Sequence, residues 1–439
     1  MMFDRLLNHF ELSDDKGGVC YGLLLSRLGV LVYLAALAFP HTAALRNIAL
    51  LCMLISIPML YRQRHLVFDW QSPLWRILGL LLIVLAISAL FGSDPVDSFG
   101  ELRKHFLPGV LLLVLLPSVF ASHRQIRILL LIIGASFSLR AALTLAELAI
   151  FLPDLDAGRA NGRFIKGFAL DAGFYIPILF GVLFLKGKIR WLTWLGLPLV
   201  IGCMVFVQSR TPILAGLLAV GCMLLLLRRW KSLLFAALSM LMIAVYVALA
   251  QPQISERLAS SFNVETYRTA FDLKNFKTPK DGLTERVAIW SGVVEITEAR
   301  SFLGYGFGWK KLGLTAESGG FLATWRAKEG DALAETKVRY FSQPTSKVNP
   351  HSLYLQIYFE SGLLGLLMYS TFLVTLFWQA VRLATAAPDS TSRIGGAIVF
   401  AYLVDHAILG LGNGLWFGLG PSFAFLGLLE ILRHRPIKP

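Results

Sequence analysis

The sequence predicts an all-α polytopic membrane protein of about twelve transmembrane helices, with one large, mostly helical loop between spans nine and ten. Three observations predict it. Of 439 residues, 56% are hydrophobic and only 15% are charged, whereas soluble domains carry about a quarter charged residues. The apolar residues fall in long runs rather than in the short periodic stripes of a soluble core. The basic residues between those runs are unevenly divided between alternate loops.

The runs cover residues 21–39, 43–61, 73–92, 106–121, 125–150, 170–186, 190–208, 211–228, 232–250, 356–381, 394–412 and 414–432. Each approaches the roughly 20 apolar residues that cross a bilayer as a helix. The fourth is short, and the last two are separated only by "GLGNGLW", which must turn tightly. With the N-terminus cytoplasmic, the internal loops inside carry Arg62, Arg64, Arg76, Arg124, Arg127, Lys186, Lys188, Arg190, Arg228, Arg229, Lys231, Arg382 and Arg393. The short loops outside carry only Arg46, Arg103, Lys104, Arg159, Arg163, Lys166 and Arg210. The bias sets this orientation. It also accounts for the net charge of +14 without nucleic acid. The polar start, "MMFDRLLNHFELSDDKGG", lacks the basic end, apolar centre and cleavage site of a signal peptide. Cys20, Cys52, Cys203 and Cys222 lie in or beside apolar runs, with no disulfide or zinc pattern.

Three regions follow: a membrane part over 1–250, an extracytoplasmic cap loop over 251–350, and a second membrane part over 351–439. A connection that long carries function or structure of its own. "LTERVAIWSGVVEITEA" has a helical period, with Val287, Trp290, Val293 and Val294 on one stripe. "SFLGYGFGWKKLG" reads as a glycine-spaced turn. No internal repeat of the transporter kind is present.

The chemistry-bearing residues gather outside. In "QSRTPILAG", Thr211 suits a helix cap and Pro212 the first helical position, which places Arg210 just ahead of a helix N-terminus. Such an end favours an anion, and a guanidinium adds a bidentate grip. An anchor arginine snorkelling to headgroups is the competing reading. Arg286 occupies the first turn of the loop helix with Trp290 one turn on, as an anion ligand or as a solvated charge. In "NPHSLYLQIYFESGLLG", Asn349 suits a cap and Pro350 the first helical position, so His351 falls at the second. The positive helix end would keep the imidazole neutral and able to accept a proton. The alternative is an interfacial histidine bonded to a neighbouring loop. Glu360 points to the opposite face.

Arg103, Lys104, Arg159, Arg163 and Lys166 form a secondary basic set, suited to a polyanionic ligand or to lipid headgroups. Within the spans, Arg140, Glu147, Asp171 and Asp405 carry a functional default. Arg140 and Glu147 share a helix face and could pair. Asp405 with His406 has the look of a proton relay or of a brace under the outer site. No P-loop, HExxH, GxSxG or paired-aspartate metal motif occurs.

"SRTPILAG", "ERVAIWSGVVEITEARSFLGYGFG" and "NPHSLYLQIYFESGLLG" resemble, in order and sidedness, the three signatures of the O-antigen ligase/polymerase superfamily. The resemblance covers essentially the whole chain, and it is closest to the ligase (WaaL type) branch. O-antigen polymerases often show two large periplasmic loops, and protein O-oligosaccharyltransferases an added C-terminal domain. "NGRFIKGFALDAG" departs from the family pattern. It keeps Gly162 and Phe164 but lacks a following Pro-Asn, which weakens the carry-over to Arg159, Arg163 and Lys166.

The resemblance implies a bacterial inner-membrane enzyme with its site facing the periplasm and with no cofactor or metal. It would transfer O-antigen from undecaprenyl diphosphate to lipid A–core with inversion. Its partners would be the polyprenyl-linked donor, the lipid A–core acceptor and membrane lipid, and not nucleic acid. His351 would be the general base. Arg210 and Arg286 would clamp the diphosphate, aided by Arg163, Arg159, Lys104 and Arg103. A lipid-linked glycan flippase predicts basic residues along a path across the whole membrane, and an assembly scaffold predicts a dispensable His351.

Overall fold

The computed structural model describes residues 20–120, 122–151, 154, 161–185, 190–207, 210–250, 264–279, 282–344, 347–413 and 419–434. Where it is described, every predicted apolar run folds as a helix, the structure that satisfies all backbone groups within an apolar segment. The first nine are α1 Tyr21–Leu37, α2 Ala43–Arg62, α3 Pro73–Phe91, α4 Pro95–Val119, α5 His123–Ile150, α6 Phe168–Leu183, α7 Arg190–Val207, α8 Arg210–Leu226 and α9 Trp230–Ala250. Five helices follow: α10 Val264–Phe271, α11 Gly282–Glu298, α12 Lys311–Ser318, α13 Phe321–Arg326 and α14 Ala332–Phe341. Apolar helices then resume with α15 Leu353–Ala386, α16 Ser390–Gly412 and α17 Leu419–His434. Among the described residues, six helices are long and apolar enough to cross a membrane: α2 to α5, α15 and α16.

One boundary differs widely from the sequence expectation. The fourth helix begins at Pro95, because the Asp94 carboxylate accepts the Asp97 amide at 3.0 Å and proline opens the first turn. Arg103 and Lys104 therefore ride on α4 itself. The expected turn between the last two runs falls partly on residues 414–418, outside the described residues.

Close packing fixes the helix directions. Gly196 of α7 faces Ser138 of α5, and Cys203 donates to the Ala141 carbonyl at 3.1 Å, so α5 and α7 run the same way. Gly173 of α6 faces Asp405 of α16, and Gly181 faces Ile398, so α6 and α16 are antiparallel. The end of α5, the 161–167 turn, the start of α8 and the end of α16 therefore share one end of the bundle. That end carries the site.

Residues 264–341 bury their own apolar centre, which includes Ile289, Val293, Ile296, Leu312, Trp325 and Phe341. In α11 the buried face is Val287, Ile289, Val293 and Ile296. Arg286 and Trp290 lie on its half-buried flank. The glycine-spaced segment 301–308 docks this unit onto the membrane helices. Tyr305 and Gly306 donate to the carbonyls of Phe359 and Glu360, both at 2.9 Å, and Leu363 donates to Ser301 at 2.7 Å. Such pairing needs a break in α15. Gly362 supplies it at φ 64°, a conformation that suits glycine, against the backbone of Phe302. The Ser88 hydroxyl lies within reach of the Leu303 and Glu360 carbonyls at 2.7 and 2.5 Å. The buried Glu360 carboxylate accepts from the Gly308 amide and from Gln356 at 3.1 and 2.9 Å.

Candidate functional site

His351 is placed by a turn, not by the first turn of a helix. Ser352 is the N-cap of α15 and accepts the Leu355 amide at 3.5 Å. Asn349 instead turns its side chain onto the His351 amide at 3.0 Å, an Asx-turn. The expectation of His351 at the second helical position is corrected accordingly. Asn349 bonds two residues on, and the serine hydroxyl wins the cap. His351 takes φ 49°, a left-handed conformation uncommon outside glycine and concentrated at functional sites.

The imidazole is half-buried, and among the described residues its ring nitrogens make no hydrogen bond. Burial first, and then the Arg286 charge, push its pKa down to about 4. It is therefore neutral at physiological pH. The causes of that neutrality are desolvation and a neighbouring cation, and not the helix end that the sequence suggested, because His351 precedes the N-cap.

Arg286 reaches from α11 to the end of α16. Its Nη1 lies 3.1 Å from where a Cβ on Gly412 would stand, at the end of α16. The other side of that helix end, at Gly410, abuts Leu353 and Tyr354 of α15. Arg286 and the first residues of α15, just after His351, thus both meet the end of α16, where the helix dipole favours a cation. Among the described residues no carboxylate pairs with Arg286. Burial draws its pKa below the ordinary value, opposed by Tyr340. A guanidinium withdrawn from water with no acid beside it is a fork open to an incoming anion.

Arg210 opens α8 directly, two residues before the proline start expected for that helix. The helix directions put it at the same end of the bundle as Gly412. Its side chain and Arg159 lie outside the described residues.

Arg163 and Lys166 belong to a turn pinned by α5. Glu147 accepts the amides of Arg163, Phe164 and Ile165 at 2.6, 2.7 and 3.0 Å. Arg140 pairs with Asp171 at 2.5 Å and reaches the Lys166 carbonyl at 3.4 Å. The expected Arg140–Glu147 pair is therefore absent, since each finds a closer partner across α5. Arg163 itself is exposed and lies over the Phe164 ring.

Lys104 pairs with Glu101 at 3.4 Å, and Lys310 approaches the same carboxylate at 3.9 Å. Lys104 and Lys310 thus share one carboxylate on α4, and Arg103 is exposed beside Lys104. Asp405 and His406 do not form a pair either. His406 bonds Tyr369 at 2.8 Å and Tyr402 at 3.4 Å. Both oxygens of buried Asp405 have no partner among the described residues.

The segment that holds this geometry has known counterparts. Residues 195–370 match the O-antigen ligase family model. The match spans Arg210, Arg286 and His351 and supports the O-antigen ligase/polymerase superfamily. It covers less than half of the chain, and no curated protein matches it.

Sequence reasoning missed Tyr340. Its hydroxyl accepts the Asn349 amide at 3.1 Å and donates to the Asn349 carbonyl at 2.9 Å. Its ring lies 5.9 Å from that of His351. Nothing local marks it, because α14 reads as an ordinary amphipathic helix.

Proposed function

We propose that this protein is a polytopic inner-membrane glycosyltransferase that joins O-antigen from undecaprenyl diphosphate to a hydroxyl of lipid A–core on the periplasmic side. The observation that carries the reading is Arg286, half-buried, with no acidic partner among the described residues and beside the neutral imidazole of His351, whose ring nitrogens make no hydrogen bond among those residues. An anion-binding fork next to a proton acceptor is what glycosyl transfer from a diphosphate requires.

In this reading α1 to α9 and α15 to α17 are twelve spans, and residues 251–350 form the periplasmic cap. The neutral imidazole takes the proton of the acceptor hydroxyl as its oxygen attacks the anomeric carbon. The bond to the diphosphate oxygen breaks from the opposite face, which inverts the configuration. Negative charge grows on the leaving group in the transition state. There the guanidinium of Arg286, with Arg210 as its proposed second cation, stabilises it. Arg163, Arg159, Lys104 and Arg103 serve the outer charges of the donor. The arrangement assigns the proton and leaving group to protein side chains and needs no cofactor.

The test separates branches of the superfamily. Purified protein receives polyprenyl diphosphate-linked glycan with and without lipid A–core, in EDTA. Product that forms only when lipid A–core is present, and at its expense, supports the ligase. Lengthened donor glycan with no acceptor present would assign a polymerase instead.

A further inference from the structure

The strained turn that carries His351 is not held by its own neighbours alone. A left-handed, non-glycine backbone is strained and persists only where its surroundings over-determine it. Asn349 supplies one constraint through its side chain, on the His351 amide. Asn349 in turn is held at both backbone polar groups by one phenol, that of Tyr340. The same hydroxyl lies 3.3 Å from the Lys347 carbonyl.

Tyr340 is well placed to impose this. It is 6% exposed and packs edge-on against Phe341 at 5.5 Å, so it is part of the apolar centre of residues 264–341. That centre also carries Val293 of α11, the helix that presents Arg286. One side chain therefore couples the element bearing the guanidinium to the turn bearing the imidazole. Burial pushes the Tyr340 phenol above its ordinary value, so it stays a neutral donor and acceptor at working pH.

We propose that Tyr340 is a positioning residue for the transfer reaction: its hydroxyl locks the 349–351 turn so that the His351 imidazole stays beside Arg286. The proposal rests on the glycosyl-transfer reading above and assigns Tyr340 no contact with substrate.

Tyr340→Phe keeps the ring and removes only the hydroxyl. Three readings are taken on full-length protein in detergent, beside wild type and His351→Ala. Amide hydrogen exchange over 347–352 quickens in Tyr340→Phe, while α11 and α12 keep their protection. The kcat for glycan transfer falls about tenfold or more, with donor KM changing less than about threefold. The acid limb of the rate profile moves up towards the ordinary histidine value, because a loosened turn exposes the imidazole; a role in cap stability alone would leave that limb in place. Asn349→Ala added to Tyr340→Phe lowers kcat by less than the product of the two single effects, since both act on one turn. If transfer depends on His351 while Tyr340→Phe keeps wild-type kcat, pH limb and exchange, the positioning role is wrong and the catalytic reading stands. If wild type transfers no glycan but exchange over 347–352 still quickens, the lock is real and the catalytic reading fails.

Discussion

The Arg286 guanidinium lies over Gly412, with Nη1 3.1 Å from the position a Cβ would take on the glycine, closer than ordinary van der Waals contact. Gly412 is thus the floor on which the proposed clamp rests. Its φ is not positive, so a larger side chain there adds bulk without backbone strain. Gly412→Val should displace the guanidinium and cut transfer about tenfold or more, equivalent to about 1.4 kcal/mol of transition-state stabilisation. Gly412→Ala should cost less. The thermal midpoint should move little in either. The check is a rate and a melting curve on the same preparation.

His351 fixes the sign of the pH dependence. Its pKa is depressed to about 4 by burial and Arg286, and the base works only when unprotonated. Transfer should therefore persist as pH falls below the usual histidine range and decline as it approaches about 4. Arg286→Gln removes one of the two causes, so its acid limb should lie higher than that of wild type. Rates over pH 4 to 8 on membranes of both proteins decide it.

Glu147 holds three consecutive amides of the 161–167 turn. Glu147→Ala leaves them unpaired, at a cost of about 1 to 3 kcal/mol. In the proposed reaction the turn presents Arg163 to the donor. The variant should raise donor KM more than it lowers kcat, and should melt at a lower temperature. Steady-state kinetics with the lipid-linked donor give the split.

Gly362 breaks α15 so that the 301–308 segment can pair with it. A methyl there meets the Phe302 carbonyl at a φ of 64°, which costs on the order of 1 to 3 kcal/mol. Gly362→Ala should loosen this docking, and limited proteolysis should cut near 301–308 faster than in wild type.

The helices were legible because a run of about 20 apolar residues has no other way to satisfy its backbone in lipid. Arg286 and His351 stood out as candidates from residue type and local pattern, with their roles implied only by the family resemblance, and the structure sets the two near each other. Their supports were not. Whether a carboxylate on α5 meets an arginine one face along or three amides sixteen residues on depends on where the chain returns, and Glu147 shows that spacing alone misleads. The turn at His351 was misread because two capping residues, Asn349 and Ser352, compete within four positions. Only tertiary contact, here Tyr340, settles which of them starts the helix. The extent of α4 was missed because the polar first turns of a helix look like a loop to a hydropathy window.

The most direct test compares wild type with His351→Ala and Arg286→Ala, each purified and folded by its melting curve. Each is given undecaprenyl diphosphate-linked glycan and lipid A–core in EDTA. The account predicts glycan-bearing lipid A–core with wild type and a loss of about a hundredfold or more in both variants. Transfer by His351→Ala at the wild-type rate would contradict it.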